Sequence, residues 1–303
     1  MASRPAAATL APPGAWPRAR DALALLKPLT WFPPMWAFAC GIASAGVAMG
    51  QAWPVLLAGL VLTGPVVCGA SQALNDWFDR EVDALNEPNR PIPSGRVTGR
   101  QVAALVGALV LVALAISAAL GPLVVAATLA AFALAVAYSV PPLRLKASGW
   151  WGPLACGLAY ETLAWFTGAA ALAGGWPGHQ TALLALLYGL GAHGIMTTND
   201  FKAVEGDRAM GVRSLPVLLG PQRAALVACL VMALAQLVVV ALLALWGHGV
   251  SAAIVAALLV GQLFAMRRLL AAPRERAPWF NGPGTGLFVL GMMAAALGVG
   301  GWI

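Results

Sequence analysis

Two acidic motifs close apolar runs in a chain that otherwise keeps charge out of its hydrophobic stretches. The first reads Asn75-Asp76-x-x-Asp79-x-x-x-Asp83, and the second is Asn199-Asp200 followed by Glu205 and Asp207. Asp76, Asp79 and Asp83 are spaced i, i+3, i+7, and Asp200 and Asp207 are spaced i, i+7. On a helix each set projects along one face. Carboxylates stacked that closely repel each other unless divalent cations sit between them, and hard oxygen ligands suit Mg²⁺ bridging to a phosphate. The five aspartates are therefore the expected catalytic groups and metal ligands, with Asn75 and Asn199 as neutral oxygen ligands or orienters. Glu81, Glu87 and Glu205 fall off the shared faces and read as solvated or supporting groups.

Basic residues flank both motifs: Arg80, Arg90, Arg96, Arg144, Lys146, Lys202 and Arg208. Metal plus Arg and Lys around a phosphate is a clamp for a leaving diphosphate. A greasy interior behind that clamp suits a long hydrocarbon tail. Together these features point to ionisation of an allylic isoprenoid diphosphate, with the carbocation caught by an acceptor.

The elements that must position these groups are membrane helices. The 303 residues are 60% hydrophobic and only 10% charged, which excludes an ordinary soluble domain. A span needs about 20 apolar residues. Nine segments qualify as candidates: 31–49, 53–74, 102–120, 123–140, 154–173, 181–196, 224–246, 250–266 and 287–303. With nine spans, all 18 Lys and Arg fall on one side, in the N-terminal segment and the 75–101, 141–150, 197–223 and 267–283 connections. The other side carries no Lys, Arg, Asp or Glu. The positive-inside rule then places the N-terminus and the charged connections in the cytoplasm and the C-terminus opposite. The expected class is an all-α polytopic bundle, with residues 1–27 a disordered tail and 28–303 a single domain. The excess of seven positive charges reflects loops at an anionic membrane face, and no nucleic-acid motif is present. Arg267, Arg268, Arg274 and Arg276 read as topology determinants near lipid headgroups.

Several polar residues sit within or at the ends of spans. Glu161 is the only acidic residue inside one, which makes it a functional candidate. His193 shares a face with Asp200, and it either approaches a ligand or is a bonded interior histidine. Tyr138 ends a span and either reaches the diphosphate or sits at the interface. Cys40, Cys68, Cys156 and Cys229 have no metal-ligand spacing and read as buried small hydrophobes. The pairs Gly291/Ala295 and Ala294/Gly298 suit close helix packing within or between chains.

The first motif, followed by Asn89-Arg90-Pro91-Ile92-Pro93-Ser94-Gly95-Arg96, resembles the first signature of the UbiA superfamily of intramembrane prenyltransferases. The stretch from Tyr138-Ser139-Val140-Pro141-Pro142 to Lys146 is similar to that family's central loop. Asp200 through Asp207, running on to Arg213-Ser214-Leu215-Pro216, resembles its second signature. Lys27-Pro28-Leu29-Thr30-Trp31 and Asn199-Asp200-Phe201-Lys202-Ala203 look like the chlorophyll and bacteriochlorophyll synthase branch. Trp165-Phe166-Thr167-Gly168 and Ala192-His193-Gly194-Ile195-Met196 look more like the bacteriochlorophyll side. Many superfamily members carry an Asp where this chain has Ala203, which leaves the second motif poorer in ligands.

The resemblance implies Mg²⁺ as cofactor and esterification of a bacteriochlorophyllide propionate by geranylgeranyl or phytyl diphosphate. It also implies a bacterial inner or intracytoplasmic photosynthetic membrane, since the short tail fits a bacterial and not a plastid enzyme. Asn75, Arg90, Arg96, Tyr138, Arg144, Lys146, Asn199, Lys202 and Arg208 become the expected ligand-binding residues. Chlorophyllide esterification, quinone-type prenyl transfer, and a non-enzymatic transporter or pigment scaffold are the alternatives. Pigment-assembly proteins are conceivable partners that no motif specifies.

Overall fold

The computed structural model describes residues 16–303, and the first half of the expected tail lies outside the described residues. The fold is a bundle of helices: α1 (Ala19–Leu26), α2 (Phe32–Ser44), α3 (Met49–Asn86), α4 (Gly99–Leu120), α5 (Pro122–Ser139), α6 (residues 151–173), α7 (His179–Asn199), α8 (Pro221–Leu245), α9 (Gly249–Ala271), α10 (Pro273–Phe280) and α11 (Pro283–Val299). Local chemistry sets their ends. Thr98 and Gln101 form a reciprocal capping box at the start of α4. Gly121 breaks the chain before Pro122, which opens α5 at the position where its missing N–H costs nothing.

Six of these helices are long and apolar enough to cross a membrane: α3, α4, α5, α7, α8 and α9. The α10–α11 pair, bent by 41°, counts as a seventh if taken as one span. Nine expected spans are therefore not matched by nine long apolar helices among the described residues. Segment 31–49 becomes α2, of 13 residues. At 1.5 Å per residue it spans about 20 Å, short of a ~30 Å hydrocarbon core. Segment 154–173 lies in α6, whose polar Tyr160-Glu161-Thr162 run dilutes its hydropathy. Segment 287–303 is α11, of 17 residues.

The expected disordered tail is corrected from residue 19 onward, because Ala19–Leu26 is helical and docked. Leu25 is fully buried and packs with Ala73, Ile92, Val97 and Val102. Asp21 is buried as well, and accepts a 2.9 Å hydrogen bond from Arg96 Nε.

Small residues allow the tightest crossing. A Cβ on Gly41 of α2 would collide with the Trp165 carbonyl of α6, and one on Gly168 would strike the Phe38 carbonyl. The pairs in α11 pack inside the chain: Gly291, Ala294, Ala295 and Gly298 are all buried, with Gly298 against Ser251 of α9. All four cysteines are free thiols. Two π-helical turns interrupt α-geometry, Leu62–Cys68 in α3 and Leu158–Leu163 in α6.

Candidate active site

The helices enclose a cavity of about 340 Å³. Its walls are largely apolar, with Leu62, Val67, Leu134, Leu163 and Ile195 among them. Asn75 comes from α3, which runs on to Asn86 and does not end at the motif as the sequence suggested, and Asn199 comes from the end of α7; both line the cavity. The two motifs, more than 120 positions apart in the chain, thus meet at one chamber. Tyr138 and Ser139 line the same space.

The three carboxylates of the first motif lie beside this chamber and not among its lining residues. Each is held by cations. Lys27 Nζ donates to Asp76 Oδ1 at 2.6 Å. Arg90 Nη1 reaches Asp83 Oδ2 at 2.9 Å and Asp76 Oδ1 at 3.6 Å, and its Nε pairs with Glu87. Asp79 Oδ1 takes Lys146 Nζ at 2.6 Å and Arg144 Nη2 at 3.3 Å. Lys146 Nζ also donates to Asn75 Oδ1 at 2.8 Å, and Asn75 Nδ2 donates to Asp79 Oδ2 at 3.0 Å. Ser139 Oγ completes the set by donating to Asn75 Oδ1. Burial pulls the Lys146 ammonium below the ordinary lysine range, with Asp79 opposing that shift.

Lys27 and Arg144 are the only non-glycine residues with positive φ among the described residues, at 46° and 37°. That backbone region costs a side chain free energy and persists where the surroundings enforce it, often at functional sites. Here both residues aim a cation at a motif carboxylate. Lys27 was not among the expected ligand-binding residues. Its signal in the sequence was Lys27-Pro28, a helix-ending dipeptide immediately before the first long apolar segment.

The second motif is arranged differently from the sequence expectation. α7 ends at Asn199, a short 3₁₀ turn carries Asp200–Lys202, and a new helix runs Val204–Ala209. Asp200 and Asp207 therefore do not share one helix face, although they remain near enough to repel. Burial pushes the Asp207 carboxyl above the ordinary aspartate range. Asn281, just after α10, donates to Asn199 Oδ1 at 2.9 Å and accepts from Thr198 Oγ1 at 2.7 Å. No sequence signal singled it out. Gly149 N–H donates to the Arg213 carbonyl and Arg213 N–H to that of Ala147, which ties the central loop to the segment after the second motif.

Two expected ligand-binding residues pair away from the motif aspartates. Arg96 is committed to Asp21 and the Asn89 carbonyl. Arg208 reaches Glu205, which Arg274 also approaches at 3.6 Å. Lys202 is exposed. Arg90, Arg144 and Lys146 do join the site.

A model of the UbiA prenyltransferase family matches residues 30–290. The chain belongs to that family. It is 55% identical over 289 residues to the bacteriochlorophyll synthase 33 kDa chain of Cereibacter sphaeroides, covering 95% of this chain and 96% of that one. It is 36% identical to the chloroplastic chlorophyll synthase of Arabidopsis thaliana, covering 91% of this chain and 73% of that one. A UbiA homologue from Archaeoglobus fulgidus, solved bound to GPP and Mg²⁺, shares the fold. Its TM-score is 0.69 at 20% identity, covering 88% of this chain and 99% of that one.

A UbiA prenyltransferase site is expected to take Mg²⁺, and the residues present can be tested against it. Among the described residues no three His, Cys, Asp or Glu side chains are grouped to hold a metal. The expected single ligand set of Asn75, Asp76, Asp79, Asp83, Asp200 and Asp207 is thus not a ready-made cage. The physical reason is charge: each first-motif carboxylate is already neutralised by Lys or Arg. Mg²⁺ is usually bound by one or two carboxylates together with substrate phosphates and water, not by an all-protein cage. Hard oxygen donors on both sides of one chamber fit a metal that arrives with its diphosphate.

Proposed function

We propose that this UbiA prenyltransferase esterifies the propionate of bacteriochlorophyllide with a geranylgeranyl or phytyl group, releasing diphosphate. The observation that carries the reading is the apolar chamber with a carboxylate–cation array at its asparagine-lined mouth. The likeness over nearly the whole chain to a bacteriochlorophyll synthase supports the choice of acceptor. Asp76, Asp79, Asp83 and Asn75, facing Asp200, Asp207 and Asn199, would hold Mg²⁺, which would supply charge neutralisation for the departing diphosphate. Lys27, Arg90, Arg144 and Lys146 exchange their carboxylate partners for diphosphate oxygens and stabilise the leaving group electrostatically. The chamber walls receive the isoprenoid and keep water from the allylic cation. The acceptor propionate is an anion near neutral pH, so no general base is required. This agrees with a site rich in cations.

The same reading supplies the topology. Nine crossings, three of them by α2, α6 and α11, put every Lys and Arg on one face and the site with them. That face is cytoplasmic by the positive-inside rule, in a bacterial inner or intracytoplasmic membrane. The test is incubation of purified protein in detergent with bacteriochlorophyllide, geranylgeranyl diphosphate and Mg²⁺, with and without EDTA. Mg²⁺-dependent ester is the expected product. Ester from chlorophyllide alone would move the chain to the sister activity, and no ester from folded protein with either would overturn the proposal.

A further inference from the structure

The chamber holds one acidic side chain that the reaction above leaves unused. Glu161 is 6% exposed and lines the chamber. Its Oε2 has no hydrogen-bond partner among the described residues, and no ion pair involves it. Other polar residues of the chamber satisfy each other: Gln72 Nε2 donates to Tyr160 Oη at 2.9 Å, and Cys68 Sγ lies 3.4 Å from the same oxygen. Glu161 stands in the π-helical turn of α6, and the π-helical turn of α3 supplies Leu62, Thr63, Val67 and Cys68 to the same chamber. Such turns recur at functional sites.

A buried carboxylate with no cation is far costlier than the neutral acid, and every Lys and Arg of the chain lies outside this stretch. The neutral acid carries a donor, and a buried donor without an acceptor is itself unfavourable. A ligand must supply that acceptor. The isoprenoid chain is hydrocarbon and has none. The tetrapyrrole has several: bacteriochlorophyllide carries a ring ketone and an acetyl carbonyl on its rim, and chlorophyllide keeps the ketone but has a vinyl group in place of the acetyl. We infer that Glu161 is a specificity-determining residue whose carboxyl donates a hydrogen bond to a rim carbonyl of the acceptor. One edge of the macrocycle then occupies the Glu161 side of the chamber, and the prenyl tail runs along its remaining apolar wall. The inference rests on the acceptor proposed above.

The test compares Glu161→Leu and Glu161→Gln with the unmodified protein. Pigment binding is measured without prenyl diphosphate, and the carbonyl stretches of bound pigment are read by resonance Raman spectroscopy. In unmodified protein one carbonyl band of bacteriochlorophyllide should lie below its free position. Glu161→Leu should return it to that position and weaken pigment binding about tenfold, while Glu161→Gln, which keeps a donor of similar shape, should retain most of the affinity. Geranylgeranyl diphosphate KM should stay unchanged in both. Weakening for bacteriochlorophyllide alone assigns the acetyl group, and equal weakening for chlorophyllide assigns the ring ketone. Bound pigment with no shifted band, or equal losses in both variants, would overturn the inference while leaving the reaction intact. Failure of the unmodified protein to bind either pigment would instead sink the reading of the acceptor.

Discussion

Lys146→Met is the most informative single change to the clamp. Lys146 Nζ bridges Asn75 Oδ1 and Asp79 Oδ1 at 2.8 and 2.6 Å, with its side chain 13% exposed against 40% for Arg144. It is the closer and drier of the two cations on Asp79, so it carries more of the electrostatic effect. Losing one preorganised donor to developing charge typically costs about 10² to 10³ in kcat, or about 2.7–4 kcal/mol. The variant is expected to lose that much turnover with the fold retained. A second effect should run the other way. Asp79 loses the cation that competes with metal, so half-saturation by Mg²⁺ should move to lower concentration. Steady-state esterification over an Mg²⁺ series measures both, with thermal melting as the control for folding. A kcat within about threefold of the original, or a raised Mg²⁺ requirement, would refute the argument that Lys146 serves the leaving group and holds the metal position.

Asp76→Ala and Asp79→Ala should each lower turnover on the order of a thousandfold, and near-normal rates in an esterification assay would contradict the metal-clamp reading. The working form of Lys146 is the protonated one and burial lowers its pKa, so activity should fall on the alkaline side at a lower pH than an ordinary lysine of pKa ~10.4 would set. Lys146→Arg, though less active, should remove that alkaline fall in a pH–rate profile. Asp207 must be ionised to ligate metal and its pKa is raised, so the Mg²⁺ requirement should climb on mild acidification, where an ordinary aspartate would still be charged. Metal titrations at stepped pH read this directly. Gly41→Ala places a methyl against the α6 backbone, which cannot rotate away, and should lower thermal stability by about 1–3 kcal/mol. Gly107→Ala, where a Cβ meets open space, should not destabilise.

What the sequence made legible was whatever local pattern determines. Charge and hydropathy are counted residue by residue, so the membrane class and the one-sided Lys and Arg were readable at once. The two Asn-Asp pairs were readable for the same reason, and the structure does bring Asn75 and Asn199 to one chamber. The contribution of Lys27 was not, because it depends on α1 folding back so that a residue with φ of 46° meets Asp76 from 49 positions away. The pairing of Arg96 was hidden for the converse reason: nothing local reveals that Asp21 is buried beside it. The nine spans read from the sequence outnumber the six helices that are long and apolar enough by themselves, or seven with the bent α10–α11 pair. α6 carries the polar Tyr160-Glu161-Thr162 run in its middle, which makes it less apolar than the long spans.

The cations explain why the two motifs can be conspicuous in sequence without forming a metal cage in the fold. Asp76 is 3% exposed and Asp83 8%. Stacked on one face of α3 without countercharge, such groups would repel and destabilise the end of the helix. Lys27, Arg90, Arg144 and Lys146 relieve that repulsion, and all four come from outside α3: the turn after α1, the connection that follows α3, and the central loop. Each cation is also a group that a diphosphate would attract. On the proposed reading, a metal-bound diphosphate would exchange partners and create no new buried charge: the carboxylates would hold the metal, and the cations would take phosphate oxygens. The cost of holding the array together is met in the resting protein by the same residues that stabilise the leaving group. Disabling the exchange from either side, by Asp79→Ala or by Lys146→Met, should abolish efficient turnover with opposite signatures in the Mg²⁺ titration, and that opposition is what an assay of the two variants side by side would reveal.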